Sequence, residues 1–308
     1  MSFGEKRFNR KLDKIRRLEE EGVLAKRNKG KNRNLAKFMS NKLAVLGLVL
    51  FAVITLACIF APLITPYKPE EMNLLNMLQP PSKEHWFGTD KIGRDIFARV
   101  LYGGRVSILV AAAGALGGAF IGVLMGSYAG YKGGWFDKLT MRLSEVFMSF
   151  PQLILCLMMV AIMGQSTRNI VIIFVITGWS GIYRMARASM LSIREEEYVQ
   201  ALHAFGLSDG LICFKHMIPN ALSAIIVNIT INFASYILEE ASLSFLGLGV
   251  PMITATWGNI LNACQEMYVL QNAWWMWLPT GIVISLFVMS VSFLGDGIRD
   301  STDSYMQG

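Results

Sequence analysis

"VSILVAAAGALGGAFIGVLMGSYAG", residues 106–130, runs without a single charged side chain. At about 1.5 Å of rise per residue, such a run crosses the ~30 Å hydrocarbon core of a bilayer as one helix. Within it Gly114, Gly118, Gly122, Gly126 and Gly130 recur every four residues, with Gly117 beside the row. At helical pitch these positions form a stripe without side chains, along which a second helix approaches to backbone contact. The reading is an interior helix of a bundle, with Gly114, Gly118, Gly122 and Gly126 as helix-packing positions. Close, sliding contact along that groove is the further expectation.

The rest of the chain extends this reading. Of its 308 residues, 53% are hydrophobic and 17% charged, and the mean hydropathy is +0.43, outside the range of ordinary soluble domains. Apolar windows long enough to span occur at 43–65, 104–130, 141–163, 169–189, 218–238 and 278–298. They predict an all-α, six-span membrane protein. The first window follows a polar stretch of 42 residues and is longer than a signal-peptide core, so it is read as a retained anchor. Cys58, Cys156, Cys213 and Cys264 show neither a disulfide framework nor metal-ligand spacing.

Six spans put both termini on one side of the membrane. Of the 29 Lys and Arg residues, 22 fall on that side and seven on the other, which assigns both termini to the cytoplasm. The domain layout is then a basic arm (1–42), the first span (43–65), an extracytoplasmic loop (66–103), a five-span core (104–298) and a cytoplasmic tail (299–308). The formal net charge is +7, but 14 of the basic residues lie in the arm, where anionic lipid headgroups and not nucleic acid are the expected contact. "KIRRLEEEGVLAKRNK", 14–29, is read as a short amphipathic surface helix interrupted by Gly22.

The chemistry the chain lacks narrows its function. Glu145, Glu239, Glu240 and Asp296 are the ionisable groups at the span ends, and such positions are read as interface anchors or helix-end partners rather than coupling-ion sites. The sequence has no phosphate-binding loop, no H-E-x-x-H zinc pair and no nucleophile elbow, and His85, His203 and His216 lie far apart. No catalytic, metal-ligating or cofactor-binding residue is assigned. Energy for uphill movement must come from a partner.

One charged insert breaks the apolar pattern: "EEEYVQALHAFGLSDGLICFKHMIPN", 195–220. Tyr198, Ala201, Leu202 and Phe205 fall at i, i+3, i+4 and i+7 and form an apolar stripe, with Glu196, Glu197, Gln200 and His203 mostly off it. Gly206 ends this helix, Ser208 is the candidate cap of a second, and Leu211, Ile212 and Phe214 lead to Pro219 at the entrance of the fifth span. Periodicity leaves two readings, a helix lying on the inner membrane surface and a helix seated in the groove of a cytoplasmic partner, where small Ala201 and Ala204 allow close approach. Near the other face, Gly88, Thr89, Asp90, Gly93, Arg94 and Asp95 are read as a capped turn opening a short interfacial helix with Ile92, Ile96, Phe97 and Val100 on its apolar side; the alternative is a docking surface or gate. "MYVLQNAWWMWLP", 267–279, is read as an interfacial aromatic belt.

The insert resembles the cytoplasmic signature of permease subunits of ATP-binding-cassette (ABC) importers. Gln200-Ala201-Leu202, Gly206 and His216-Met217-Ile218-Pro219 carry the likeness, and Gln200 and Leu202 depart from the family's Glu and Ala. "HWFGTDKIGRDIFARVLYGGRVS" (85–107), "EASLSFLGLGVP" (240–251), "TWGN" (256–259) and "LGDGIRD" (294–300) are similar to the C-type permease of dipeptide and oligopeptide importers, over nearly the whole chain from about residue 35. The resemblance implies a type I ABC importer permease fold in a bacterial or archaeal cell membrane. It also implies partners: a B-type permease as heterodimer, two cytoplasmic ATPase subunits that bind ATP and Mg, and an extracytoplasmic peptide-binding protein. A coupling helix at about 195–212 would then meet an ATPase through Tyr198, Gln200, Ala201, Leu202, Ala204, Phe205 and Gly206, with Pro219 behind it. Gly88, Thr89, Asp90, Gly93, Arg94 and Asp95 become the outer-loop signature. Peptide is the implied cargo, with nickel complexes and glutathione as alternatives. An autonomous secondary transporter or channel and a membrane scaffold are the competing readings.

Overall fold

The structure, a computed structural model, describes residues 35–303. The arm 1–34, the helix expected at 14–29 and the tail 304–308 lie outside the described residues. A short helical turn, 35–40, leads to Asn41, whose side-chain oxygen accepts from the N–H groups of Leu43 and Ala44 and caps α1, Lys42–Ile59. After a one-turn helix at Ala61–Ile64 and a 3-10 turn at Leu74–Asn76 the chain reaches Asp95, which caps α2, Ile96–Lys132, by accepting from the Ala98 N–H at 2.6 Å. With 37 residues, α2 is a rod of roughly 55 Å, far longer than a hydrocarbon core. The short interfacial helix expected near 92–100 is therefore not a separate element. Nothing between Ile96 and the glycine row stops a helix once Asp95 has capped it, so Ile96, Phe97 and Val100 form its opening turns, while Ile92 stays in the turn before it.

Gly133, with φ +64°, ends α2. Two helices follow, α3 (Gly134–Met148) and α4 (Gln152–Met163), and they meet at 92°. This corrects the continuous span expected at 141–163. Pro151 has no N–H to give and biases Phe150 away from helical backbone, so the apolar run breaks there. Among the described residues five helices are long and apolar enough to cross a membrane by themselves, and the bent pair makes a sixth if it counts as one crossing.

The chain continues through α5 (Thr167–Arg194), α6 (Glu197–Ala204), a turn at Asp209–Leu211, a π-helical stretch at Ile212–Met217, and α7 (Ile218–Phe245). Two short helices, α8 (Trp257–Asn262) and α9 (Met267–Asn272), precede α10 (Trp274–Asp303). Among the described residues the one β-type pairing is an isolated bridge between Thr89 and Asp95.

α2, α5, α7 and α10 enclose the main core, where Phe174 stacks on Tyr236 at 4.6 Å and Trp257 meets Phe287 at 5.4 Å. α1 lies against α10, so close that a Cβ on Gly47 would sit 2.7 Å from the Phe293 Cβ. The Asn41 amide donates to Asp300 at 3.1 Å, which brings the start of α1 beside the end of α10. All four cysteines are buried and free.

Candidate functional site: the α5–α7 linker and the cavity above it

α6 ends through local backbone chemistry. The Gly206 N–H donates to the His203 carbonyl at 2.9 Å and the Leu207 N–H to the Leu202 carbonyl at 3.2 Å, with Gly206 at φ +77°. This is a Schellman closure, and Leu207 and Leu202 pack on the same apolar cluster. That cluster contains Val199, 1% exposed, with Tyr131, Met190, Ile212 and Met217. The stripe expected from spacing is therefore split. Val199 and Leu202, at i and i+3, face the bundle, whereas Tyr198, Ala201 and Phe205 form a neighbouring face that is exposed, Phe205 at 80%. Ala204, Gln200, Gly206 and Pro219 are exposed as well.

His203, exposed and off the apolar stripe as expected, also ties α6 to the end of α2. Its Nε2 lies 2.7 Å from the Tyr131 hydroxyl, their rings stack at 5.9 Å, and the same hydroxyl donates to Asp209 at 3.1 Å. Arg194 donates to the Tyr131 carbonyl at 3.3 Å. Beyond Ser208, which takes the cap position without a side-chain cap bond, Ile212 is fully buried while Leu211 and Phe214 stay exposed. The π-helical turn at 212–217 widens the backbone where a Pro219 ring in a regular helix would press on the carbonyl four residues back. Asn220 donates to the Tyr198 hydroxyl at 2.8 Å.

The glycine row lies against α5, and the two helices run parallel. A Cβ on Gly114 would sit 2.6 Å from the Phe174 Cβ, one on Gly122 2.7 Å from the Trp179 carbonyl, and one on Gly130 2.6 Å from the Arg187 carbonyl. Gly126 stands in the same relation to the Tyr183 carbonyl, at 2.5 Å, and Gly118 is looser, 3.3 Å from Gly178. Carbonyls four residues apart on α5 thus meet glycines four residues apart on α2. At the α6 end the seam continues into an ion pair, where both Asp137 oxygens accept from Arg187.

The expected outer-loop signature forms a closed knot at the start of α2. Asp90 accepts from the backbone N–H groups of Ile92 and Arg94 and pairs with Arg94 Nε at 2.7 Å, with Arg99 Nε 4.0 Å away. Asp95 caps α2 with one oxygen and meets His85 Nδ1 at 2.9 Å with the other. Gly88 and Gly93 take φ +69° and +75°, and a side chain on either would strike the Gln79 or Asn73 carbonyl. Thr89, Asp90, Arg94 and Asp95 are all buried. The aromatic belt divides here: Met267, Tyr268 and Trp274 are exposed, but Trp275 turns inward and donates to the Thr89 carbonyl at 3.3 Å. Cys264, behind this knot, has its thiol pushed up to about 12 by burial.

Glu240 is not an interface anchor. Its carboxylate is fully buried and accepts from Ser107 and Ser244, both at 2.8 Å, while Ser107 Oγ also accepts the Trp257 N–H at 3.2 Å. α7 runs past it to Phe245, and the following segment folds back over it, held by the Asn259 amide on the carbonyls of Val250, Pro251 and Thr254.

Between the bend of α3 and α4, α5 and α7 lies a cavity of about 210 Å³. Gln152, Thr177, Ser180, Asn232 and Tyr236 give it polar walls, and the bare backbone at Gly181 leaves it room. Spacing and hydropathy gave no sign of it, because it exists only where α4 turns away from α5. Glu239 stands at its margin, accepting from the Gln152 amide at 3.3 Å.

Two family models match. Residues 122–304 match the binding-protein-dependent transport system inner membrane component, and residues 33–81 match the N-terminal transmembrane domain of oligopeptide transport permease C. A dipeptide transport system permease protein DppC of Alkalihalophilus pseudofirmus is 41% identical over 267 residues, 87% of each chain. The oligopeptide transport system permease protein OppC of Bacillus subtilis is 38% identical over 270 residues, 87% of this chain and 88% of the relative. Bacillus subtilis DppC is 37% identical over 267 residues, 87% and 83%.

Proposed function

The chain belongs to the binding-protein-dependent transport inner membrane components, among relatives of the C-type peptide permeases, and on that premise we propose that it is the membrane-spanning C-type permease of an ATP-driven peptide importer. It is a non-catalytic subunit. It forms one half of the translocation path with a B-type permease in a bacterial or archaeal cell membrane, both termini in the cytoplasm. It receives peptide from an extracytoplasmic binding protein and rests on two ATPase subunits, where ATP and Mg bind.

The observation that carries this reading is the division of α6. Val199, Leu202 and Leu207 anchor the helix to the bundle, and Tyr198, Ala201 and Phe205 face outward, Phe205 at 80% exposure. An apolar face displayed on a short helix fixed at both ends suits a groove on a partner, and two attachments let displacement of that partner reach α5 and α7 together. The His203–Tyr131 contact adds α2 to the same lever. In this reading the glycine seam of α2 and α5 carries the movement as a tightly packed pair, and the knot at 85–99 braces the far end of α2.

Reconstitution tests it. The chain with its B-type permease, ATPase subunits and binding protein in proteoliposomes is expected to take up labelled trialanine only with ATP. Uptake undiminished without the ATPase subunits would overturn the reading. Gly206→Val, which forces a β-branched residue to φ +77°, and Ala201→Glu on the displayed face are expected to leave insertion intact and to separate ATP hydrolysis from uptake.

A further inference from the structure

We propose that the cavity at the bend of α3 and α4 is a cargo waypoint that holds a free α-ammonium group, with Glu239 as its anion and Gln152, Ser180 and Asn232 as its polar walls. The inference rests on the peptide-import reading above and names what this chain itself recognises in the cargo.

Three observations lead to it. Ser180 is 5% exposed, lines the cavity and makes no hydrogen bond within the described residues. Its hydroxyl is not sealed in the core but reachable from the cavity, and a polar group that faces open space without bonding a neighbour is available to an occupant. Asn232 lines the same space and likewise has no hydrogen bond among the described residues. Glu239 is half-buried, receives a single amide N–H from Gln152, and has no cation within ion-pair distance among the described residues. A carboxylate set among apolar helices with one neutral donor gains strongly from an arriving cation.

Size and charge select the occupant. At about 210 Å³ the cavity is smaller than the ~300–1,000 Å³ clefts that enclose whole small molecules, so it takes one end of a chain and not the entire cargo. Its lining carries no charge of its own. Tyr236 meets Phe174 while Asn228 meets Met185, so α5 and α7 run antiparallel; Glu239, one turn beyond Tyr236, and Arg184, one turn beyond Ser180, therefore lie toward opposite ends of the cavity. Arg184 reaches the cavity wall at Met148, 3.4 Å from its sulfur. The anion and the cation are thus apart, and an ammonium is drawn to the Glu239 end. Gly181 keeps the α5 wall bare, since a Cβ there would meet nothing within 4 Å, while Gly178 makes room for the Tyr236 hydroxyl.

The test uses the complete transporter. Glu239→Gln keeps the shape and the Gln152 contact and removes the charge. It is expected to lower trialanine uptake roughly tenfold, the scale of one charge-assisted hydrogen bond. In a Ser180→Cys transporter, trialanine is expected to slow labelling by a small methanethiosulfonate reagent, N-acetyl-trialanine is not, and adding Glu239→Gln is expected to abolish the protection. The inference is overturned if the acetylated peptide protects equally, if neither protects, or if Glu239→Gln transports at the wild-type rate. A wild-type transporter that takes up no peptide at all overturns the import reading itself, and the inference with it.

Discussion

The segment 85–99 and the segment 195–217 both gather charges, glycines and aromatics at the ends of long helices, and the structure treats them in opposite ways. In the first, every signature side chain turns inward: Asp90 and Asp95 take backbone N–H groups, Arg94 and His85, and the whole set is buried. In the second, the backbone closes on itself at Gly206, one aliphatic face anchors, and the remaining side chains stand outside. A buried knot of ions fixes a shape, because each charge taken from water must be matched where it sits. An exposed apolar face on a short helix is an unfinished interface. Dense polar signatures in a membrane chain therefore have two uses, and only burial tells them apart.

The contrast breaks first, and most severely, at the knot. Asp90→Ala leaves Arg94 and the buried Arg99 without their carboxylate, and loss of one partner of a buried pair costs about 3–5 kcal/mol. Thermal unfolding of the detergent-solubilised transporter should show a large drop in midpoint; an unchanged midpoint would mean that the knot braces nothing. The glycine seam comes next. A side chain at Gly126 meets the Tyr183 carbonyl 2.5 Å away and the Ala186 Cβ at 3.0 Å, so Gly126→Val should cost roughly 1–3 kcal/mol by overpacking. Gly181→Val, into open space on α5, should leave stability within about 0.5 kcal/mol and reduce only transport. Phe205→Ala should be as silent in unfolding while uptake falls, since its ring is 80% exposed among the described residues.

How far these features were readable follows from what determines each. The glycine row and the Gly206 stop depend on residues within a turn of one another, so spacing alone placed them; the start of α2 did not follow, because the expected helix carried Ile92 and the cap falls later, at Asp95. The bend at 149–151 had a visible cause in Pro151, but a hydropathy window averages over one residue and joined the two halves. The face of α6 went partly astray: Tyr198, Ala201, Leu202 and Phe205 are a valid stripe, yet which sector points inward is decided by where α2, α5 and α7 stand, and they claim Val199 and Leu202. Glu240 was misplaced for a similar reason, because its burial comes from the 246–257 segment folding back over α7. The cavity is more distant still from sequence, being the space left when α4 leaves the line of α3.

The smallest effect sharpens the comparison most directly, because it is read without disturbing either region. Cys264 lies at the knot, 2% exposed, its sulfur donating to the Ile260 carbonyl at 3.2 Å, and burial raises its pKa to about 12. Only the thiolate reacts, and a raised pKa leaves it scarce until the pH approaches that value. At pH 8 to 9 the thiolate is only a very small fraction of the population. Maleimide should therefore leave native Cys264 unmodified across this range, whereas a Phe205→Cys transporter labels readily on the exposed face of α6. If both segments are as contrasted here, ATPase subunits protect the thiol introduced at 205 and make no difference at 264. Rapid modification of Cys264 would show that the knot opens, and a reactive 205 thiol indifferent to the ATPases would move the partner off α6.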